Sequence, residues 1–195
     1  MAVDSDRILI AQNARVYLAP VGTTAPAGPE ATLDPAWREV GYFTPDSLQF
    51  NTDPSFEEVR SHQSNRPTRR WQTEDNATAQ VDLQEWSGEN FLAVFGGGTI
   101  TEVAAVVGPP AIPKHYKYSP PAVGGRQSVA AIIEIIDEDK VYRLIIPKAE
   151  QGEGAEISLN KTSESTLPLR LTVLGNDFAD DWYLLTEDEA FAPVP

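Results

Sequence analysis

Polar and apolar side chains alternate from Gln72 to Gln84, and this pattern constrains the fold more than any other stretch of the chain. The even positions are polar throughout, while the odd positions become apolar towards the end, finishing Ala77, Ala79, Val81 and Leu83. Successive side chains of a β-strand point to opposite faces, so the pattern predicts one dry face and one wet face. The stretch Trp71–Gln84 would extend about 46 Å at about 3.3 Å per residue, longer than most strands.

A short amphipathic helix is predicted directly after this strand. Ser87 is a favourable N-cap, and Glu89 places a negative charge near the positive helix terminus. We expect the buried stripe to consist of Phe91, Leu92 and Phe95. Gly96–Gly98 should end the helix, because glycine readily adopts positive φ. A long strand with a continuous wet face, followed by such a helix, fits a wall better than a closed pocket.

Other segments have the character of short β-strands separated by turns. Val129–Ile136 is apolar on both faces, which predicts a strand covered on both sides, and Lys140–Ile146 returns from it as a hairpin. The remaining predicted strands are Arg15–Ala19, Trp37–Phe43, Leu48–Phe50, Thr99–Val103, Lys114–Tyr118, Ala155–Asn160 (with Ile157 and Leu159 inward), Leu167–Leu174 and Trp182–Leu185. Many short strands and one helix predict a mainly β protein, a β-sandwich or barrel, in a single domain over residues 1–195.

Three segments are predicted to lie outside the core. Asn51–Arg70 holds two prolines, four arginines and few apolar residues. Because predicted strands flank it, we interpret it as a long hairpin arm, a loop projecting from the sheet; loops of about twenty residues are usually functional or disordered. Residues 1–14 are predicted to form an N-terminal arm. Residues 187–195 form an acidic C-terminal tail that we expect to be mobile or to lie on a neighbour.

The formal net charge of −14 limits the partners that the chain can have. Nonspecific DNA binding requires Lys and Arg to neutralise phosphates, so the chain as a whole should repel DNA. The arginines of the arm are an exception. A basic arm on an acidic body is self-complementary, which favours head-to-tail contacts between copies. A phosphate-binding patch is the alternative interpretation of the same arginines.

Recognisable catalytic and metal-binding motifs are missing from the sequence. There is no cysteine, His62 and His115 stand outside any HxxH or HExxH pattern, and no Gly-x-Ser-x-Gly elbow occurs. The acidic clusters at 137–139 and 177–181 lack the spacing of a calcium loop. No apolar run approaches the roughly 20 residues of a membrane span. We therefore expect no catalytic, cofactor-binding or metal-binding residues and no membrane partner.

Five stretches, in order and spacing, carry a resemblance to a known family. They are ARVYLAPVGTTAP (14–26), WREVGYFTPDSLQF (37–50), TAQVDLQEWSGENFLAVFGGG (78–98), VAAIIEIIDEDKVYRLIIP (129–147) and LPLRLTVLG (167–175). Together with the polar arm between the second and third, they resemble the major tail proteins, or tail tube proteins, of bacteriophages with long non-contractile tails. The likeness depends on the layout of most of the chain and on no single residue.

This resemblance implies a structural virion protein of the phage tail, made in the bacterial host cytoplasm, and no enzyme. In the family, six copies form a ring by continuing their β-sheets, and rings stack into a tube through which double-stranded genome DNA passes without being held. It also implies contacts with tape measure, tail terminator and distal tail proteins. By the same resemblance, Asn51–Arg70 should reach an adjacent subunit or ring, and the two termini should contribute to stacking.

Two sets of residues are the resulting site predictions. Contacts between subunits or rings are expected from Phe56, Arg60, Arg66, Arg69, Arg70 and Trp71. The lumen-facing candidates are Glu74, Asn76, Thr78, Gln80, Asp82 and Gln84, because the wall of a DNA conduit must be wet and must not bind phosphates. A flipped sheet would point this face outward instead. The alternative functions are another virion β protein, such as a tail terminator, adaptor or capsid decoration protein, and a carbohydrate- or protein-binding β-sandwich.

Overall fold

The computed structural model describes residues 7–152, 154–157 and 159–193. Within these residues the chain is mainly β, with ten strands and one short α-helix, as predicted. The strands are β1 Asn13–Pro20, β2 Arg38–Glu39, β3 Gln49–Arg60, β4 Pro67–Leu83, β5 Thr99–Val103, β6 His115–Ser119, β7 Val129–Asp137, β8 Lys140–Gln151, β9 Leu167–Val173 and β10 Tyr183–Thr186. The helix α1 spans Gly88–Val94, and a single 3-10 turn spans Glu189–Phe191.

Eight of these strands form one antiparallel sheet in the order β2-β1-β7-β8-β9-β4-β3, with β10 also paired to β8. β5 and β6 form a separate two-stranded hairpin. Buried side chains from both halves of the large sheet meet in one core, for example Val16 and Ile133 from one half with Val81 and Leu169 from the other. A bent sheet that encloses a common core is consistent with the predicted β-sandwich.

The hairpin β7–β8 is covered on both faces, which confirms the prediction made from its apolar sequence. Ile133 and Leu144 are cross-strand partners in the main core. Ile132 and Ile145 lie on the opposite face, in a second buried cluster with Trp37. Neighbouring residues of these strands therefore pack in different cores. Both faces need apolar side chains, so polar and apolar residues do not alternate along the strands.

A buried ion pair helps to hold the segment that covers this second face. Arg143 Nε donates to Glu134 Oε2 at 2.7 Å, and both side chains are buried. Arg143 Nη1 also donates to the carbonyl oxygens of Gly28 and Ala31, at 3.1 and 2.6 Å. Because the guanidinium has several partners, the loop before β2 is held against the sheet.

The helix begins and ends as predicted, and Phe91 and Phe95 of the predicted stripe pack against the main core, but the most buried helical residues are others. Asn90 N donates to the Ser87 Oγ cap at 3.1 Å, and Gly96, Gly97 and Gly98 all have positive φ. The buried helical residues are Asn90 and Val94, whereas Phe91, Leu92 and Phe95 are only half-buried. Asn90 can be buried because its amide donates to the carbonyls of Val40 and Glu85 and accepts from Arg38.

Two strand predictions are wrong. The expected strand Trp37–Phe43 is reduced to β2 and an isolated bridge between Phe43 and Leu83, because Gly41, at φ 81°, interrupts it. The described residues of the segment 155–160 form no strand, and Leu159, which was expected to point inward, is 77% exposed. A short alternation carried by two apolar residues was insufficient for pairing.

Described residues of both terminal segments contact the body of the protein, for example Ile10 N, which donates to Asp137 Oδ2 at 2.9 Å. Residues 1–6 and 194–195 lie outside the described residues, and Asn13 and Ala14 already belong to β1. In the C-terminal segment, Asp188 accepts a hydrogen bond from the Tyr142 hydroxyl at 2.6 Å and pairs with Lys140 at 3.2 Å. These contacts, with the hydrogen bond from Ala190 N, lower the pKa of Asp188 to about 2.

Candidate functional site

The segment predicted as a projecting loop is most of a two-stranded ribbon. β3 and β4 pair from Gln49↔Gln80 to Arg60↔Pro67, and only the six residues 61–66 connect them. Side chains from residues 51–60 and 67–76 are exposed on both faces, whereas the next residue of β4, Ala77, is buried. At about 3.3 Å per residue, the exposed ribbon extends roughly 30 Å from the body. Its length and exposure suit contact with another molecule.

A β-bulge at Thr73 divides the ribbon into two parts. Ser55 pairs with Glu74, but its neighbour Phe56 pairs with Gln72, so Thr73 has no partner of its own. Neighbours on a strand point to opposite faces and cross-strand partners share a face, so Gln72 and Glu74 lie on opposite faces. The predicted continuous polar face over Gln72–Gln84 is therefore wrong at Gln72.

The outer ribbon is the part beyond this bulge, residues 56–72. On one of its faces the charged side chains have partners within the ribbon itself. Arg70 lies over the Phe56 ring, with its guanidinium carbon 3.9 Å from the ring centroid. Arg60 Nη2 lies 3.3 Å from Glu58 Oε2, and Arg70 Nε lies 4.0 Å from Glu58 Oε1. The aromatic ring, the carboxylate and the two guanidinium groups thus form a chain of contacts along one side of the ribbon.

The opposite face of the outer ribbon has apolar groups and a cation without such partners. Val59 pairs across the strands with Arg69, and Glu57 pairs with Trp71. Val59 is 46% exposed and Trp71 is 40% exposed. Within the described part of the chain, the side chains of Arg66 and Arg69 form no ion pair. The six predicted arm residues are therefore divided between two faces and the connecting turn.

The polar face of β4 is wider than the sequence indicated. Five predicted residues, Glu74, Asn76, Thr78, Gln80 and Asp82, follow the alternation of β4 on the side opposite Ala77, Ala79 and Val81. The sixth, Gln84, lies one residue beyond the strand, where its side chain donates to Glu164 at 3.4 Å. The register adds residues from three neighbouring strands, namely Gln49, Asn51, Asp53 and Ser55 of β3, Arg170 and Thr172 of β9, and Glu150 of β8.

Carboxylates dominate this polar face. Among the residues that the pairing register places on it are Asp53, Glu74, Asp82 and Glu150, with one arginine, Arg170. Arg170 Nη2 donates to Asp82 Oδ1 at 2.7 Å, so this arginine is already paired. Gln80 Nε2 donates to Gln49 Oε1 at 2.7 Å, which links β4 to β3. A face on which carboxylates are the commonest charged groups repels polyanions.

The sequence did not predict which residues of β3, β8 and β9 share the polar face with β4. Only the pairing of the strands shows which residues lie side by side. The alternation Leu48, Gln49, Phe50, Asn51 was a usable signal: Leu48 and Phe50 pack against the core while their neighbours face outward. Nothing in the sequence indicated that Arg170 of β9 would be the partner of Asp82.

Neither a metal site nor a membrane helix is found in the described residues. Among residues 7–152, 154–157 and 159–193, no three His, Asp or Glu side chains are grouped so that they could hold a metal ion. No helix in that part of the chain has the length and apolar character needed to span a bilayer.

A family model described as phage tail tube protein matches residues 1–195, the whole chain. No curated protein matches the sequence.

Proposed function

Because the chain belongs to the phage tail tube protein family, and is thus a structural component of a virion tail, we propose that its copies form stacked, hexameric rings that conduct DNA during ejection. The observation that carries this proposal is the outer edge of β3. This strand ends the sheet order, so among the described residues its outer edge has no partner strand. An unpaired edge can accept a strand from another chain. A neighbouring copy would then continue the sheet.

The face with Glu74, Asn76, Thr78, Gln80 and Asp82 lines the bore in this proposal, with Gln84 at its end. A ring of six copies, each with a formal charge of −14, would carry about −84. A lumen of the same sign as DNA opposes binding, and a wall with few cations leaves few ion pairs with phosphates to break during passage. The acidic face of β4 therefore fits a conduit better than a binding site.

The ribbon makes the contact between subunits or rings, through Phe56, Arg60, Arg66, Arg69, Arg70 and Trp71. Its exposure on both faces supports this role, since an isolated two-stranded ribbon is only marginally stable in water. Tape measure, tail terminator and distal tail proteins are the proposed partners at the tube ends and in the lumen. In this proposal the protein is made in the cytoplasm of the bacterial host before it is assembled into the tail.

Negative-stain electron microscopy of the purified protein tests this function. We expect rings or tubes with a central hole. Assembly should increase between about 0.01 and 0.15 M salt, because the Debye length falls from about 30 to 8 Å and the repulsion between acidic copies weakens. A decoration protein would remain monomeric or trimeric, and a carbohydrate-binding module would remain small. Either result at high protein concentration would refute the tube.

A further inference from the structure

A proline lies near the middle of β3, the strand whose outer edge is unpaired among the described residues. Pro54 is exposed and is the cross-strand partner of Asp75 in β4. Proline has no backbone N–H, so it can donate no hydrogen bond to a neighbouring strand. Its effect on the outer edge depends on whether its nitrogen points towards β4 or away from it.

The carbonyl groups near Pro54 show that its nitrogen points away from β4. In an antiparallel pair, a residue directs its N–H and C=O either both towards the partner strand or both away, and the direction alternates along the strand. The carbonyl oxygen of Ser55 accepts from Thr73 Oγ1 at 3.2 Å, and that of Val59 accepts from Thr68 Oγ1 at 3.0 Å. Both donors belong to β4, so the odd-numbered residues of β3 face β4. The even-numbered residues, including Pro54, therefore face outward.

The backbone of β4 leads to the same conclusion. Thr44 N donates to Asp82 O at 2.9 Å, and it does so on the β3 side of β4, because β9 occupies the other edge at this point. The even-numbered residues of β4 in the body of the sheet therefore face β3. Gln80 is one of them, and its partner is Gln49. Gln49 and the odd-numbered residues after it thus face β4, which again leaves Pro54 facing outward.

Pro54 divides the outer edge of β3 into two short sections. Phe50 and Thr52 offer both backbone groups on the body side, and Phe56 and Glu58 offer both on the ribbon side. At Pro54 a partner strand would find only the carbonyl oxygen, with the ring in place of the missing hydrogen. Proline on an edge strand is one of the features by which proteins prevent unwanted pairing of edges.

Pairing of β3 with β3 of a second copy is the association that competes with tube growth, because the two edges are identical. Five residues of β3 precede Pro54 and six follow it, so any overlap of more than six residues includes Pro54 of both copies. We propose that Pro54 determines which strands can extend the sheet at this edge. It excludes long β3–β3 pairing and leaves the two short sections for a strand of the neighbour in the ring. This proposal deepens the proposed function and rests on it, because tube growth requires an edge that stays open.

Sedimentation velocity below the protein concentration at which tubes form tests this role. We expect Pro54→Thr, which restores the N–H and favours a strand, to dimerise with a dissociation constant about tenfold or more below that of the wild type, because each copy regains a hydrogen bond. Pro67→Thr is the matched control, since Pro67 is exposed in the same ribbon but begins β4. The carboxylates of β3 are unchanged in all three proteins, so the comparison isolates the proline.

Amide hydrogen exchange shows where the two copies meet. In the Pro54→Thr dimer, the outward-facing amides of Thr52, Phe56 and Glu58 should exchange more slowly than in the monomer. Pro54→Ala, which also restores the N–H, should shift the dissociation constant in the same direction and replaces the threonine variant if that variant misfolds.

Dimerisation of Pro54→Thr no stronger than that of Pro67→Thr, or a dimer in which these amides are unprotected, would overturn the role of Pro54. Tube formation by the wild-type protein is a separate result. Without it the proposed function fails, whereas the dimer measurement still decides whether Pro54 controls pairing at the β3 edge.

Discussion

Asp82 of β4 and Arg170 of β9 form an ion pair of 2.7 Å on the polar face of the sheet. The pair neutralises Arg170 on a face whose other paired residues include the carboxylates Asp53, Glu74 and Glu150 as well as amides and hydroxyls. Both side chains keep a quarter to a third of their surface exposed, so solvent screens the pair and its effect on stability is small. Its main consequence is electrostatic: it prevents a free guanidinium from facing the proposed bore.

Asp82→Asn tests this consequence. The free energy of unfolding should change by no more than about 1 kcal/mol, because exposed ion pairs contribute little. Assembled tubes should bind duplex DNA more tightly at low salt, since each copy loses one carboxylate and releases Arg170. Filter binding at several salt concentrations measures this, with the exposed loop residue change Glu156→Gln as a control of equal charge. Equal DNA binding by the two variants would contradict the lumenal position of Asp82.

Shortening the ribbon should separate folding from assembly. We predict that replacing Ser55–Glu74 with Asn-Gly, which favours a tight hairpin turn, gives a folded monomer that forms no tubes. All the replaced residues except the half-buried Ser61 are exposed, so little apolar burial is lost and the melting temperature should fall by only a few degrees. Circular dichroism and electron microscopy measure the two effects. An unfolded variant would show that the ribbon is part of the folding unit.

The same substitution at two leucines tests the core. Leu83 is 0% exposed in the main core, whereas Leu159 is 77% exposed. Leu83→Ala should lower the free energy of unfolding by about 2–5 kcal/mol, the range for buried leucines. Leu159→Ala should change it by no more than about 0.5 kcal/mol. Urea denaturation of both variants is the measurement. A comparable loss of stability at Leu159 would indicate that this side chain is buried, as the strand expected over 155–160 requires.

Asp188 gives a prediction of pH dependence. Its pKa is lowered from 3.8 to about 2, chiefly by the hydrogen bond from Tyr142, so the folded state holds its proton more weakly than the unfolded state does. The stabilising contacts are therefore complete above about pH 4 and are lost as the pH falls towards 2. Carbon NMR of the carboxyl should show a midpoint near 2, and Tyr142→Phe should raise it. A midpoint near 3.8 in both proteins would show that the contact does not form.

The sequence predicted those elements whose own residues determine them. The alternation in β4, the Ser87 cap, the glycine stop after α1 and the doubly covered hairpin β7–β8 are all confirmed. The outer half of β3 could not be predicted in this way, because its residues pair with β4 without burying a face. The buried position of Asn90 depends on carbonyl groups from Val40 and Glu85, which no local helical pattern reveals.

The site was predictable in part for the same reason. Five of the six polar-face residues lie along one side of β4, as the period-two pattern indicated. The bulge at Thr73 could not be recognised from the sequence, because it depends on how β3 is paired. It decides which ribbon residues share a face, so it separates Phe56 and Arg70 from Val59, Arg69 and Trp71. Local patterns thus identify exposed strands, but pairing determines what each exposed face contains.

Cryo-electron microscopy of the assembled tubes measures the central claim most directly, namely that neighbouring copies extend one sheet and turn its polar face towards a bore. We predict a hollow tube in which β3 of each copy pairs with a strand of its neighbour. The side chains of Thr78, Gln80 and Asp82 should then point towards the tube axis. A tube with these side chains on its outer surface, or one in which the β3 edge stays unpaired between copies, would contradict the account.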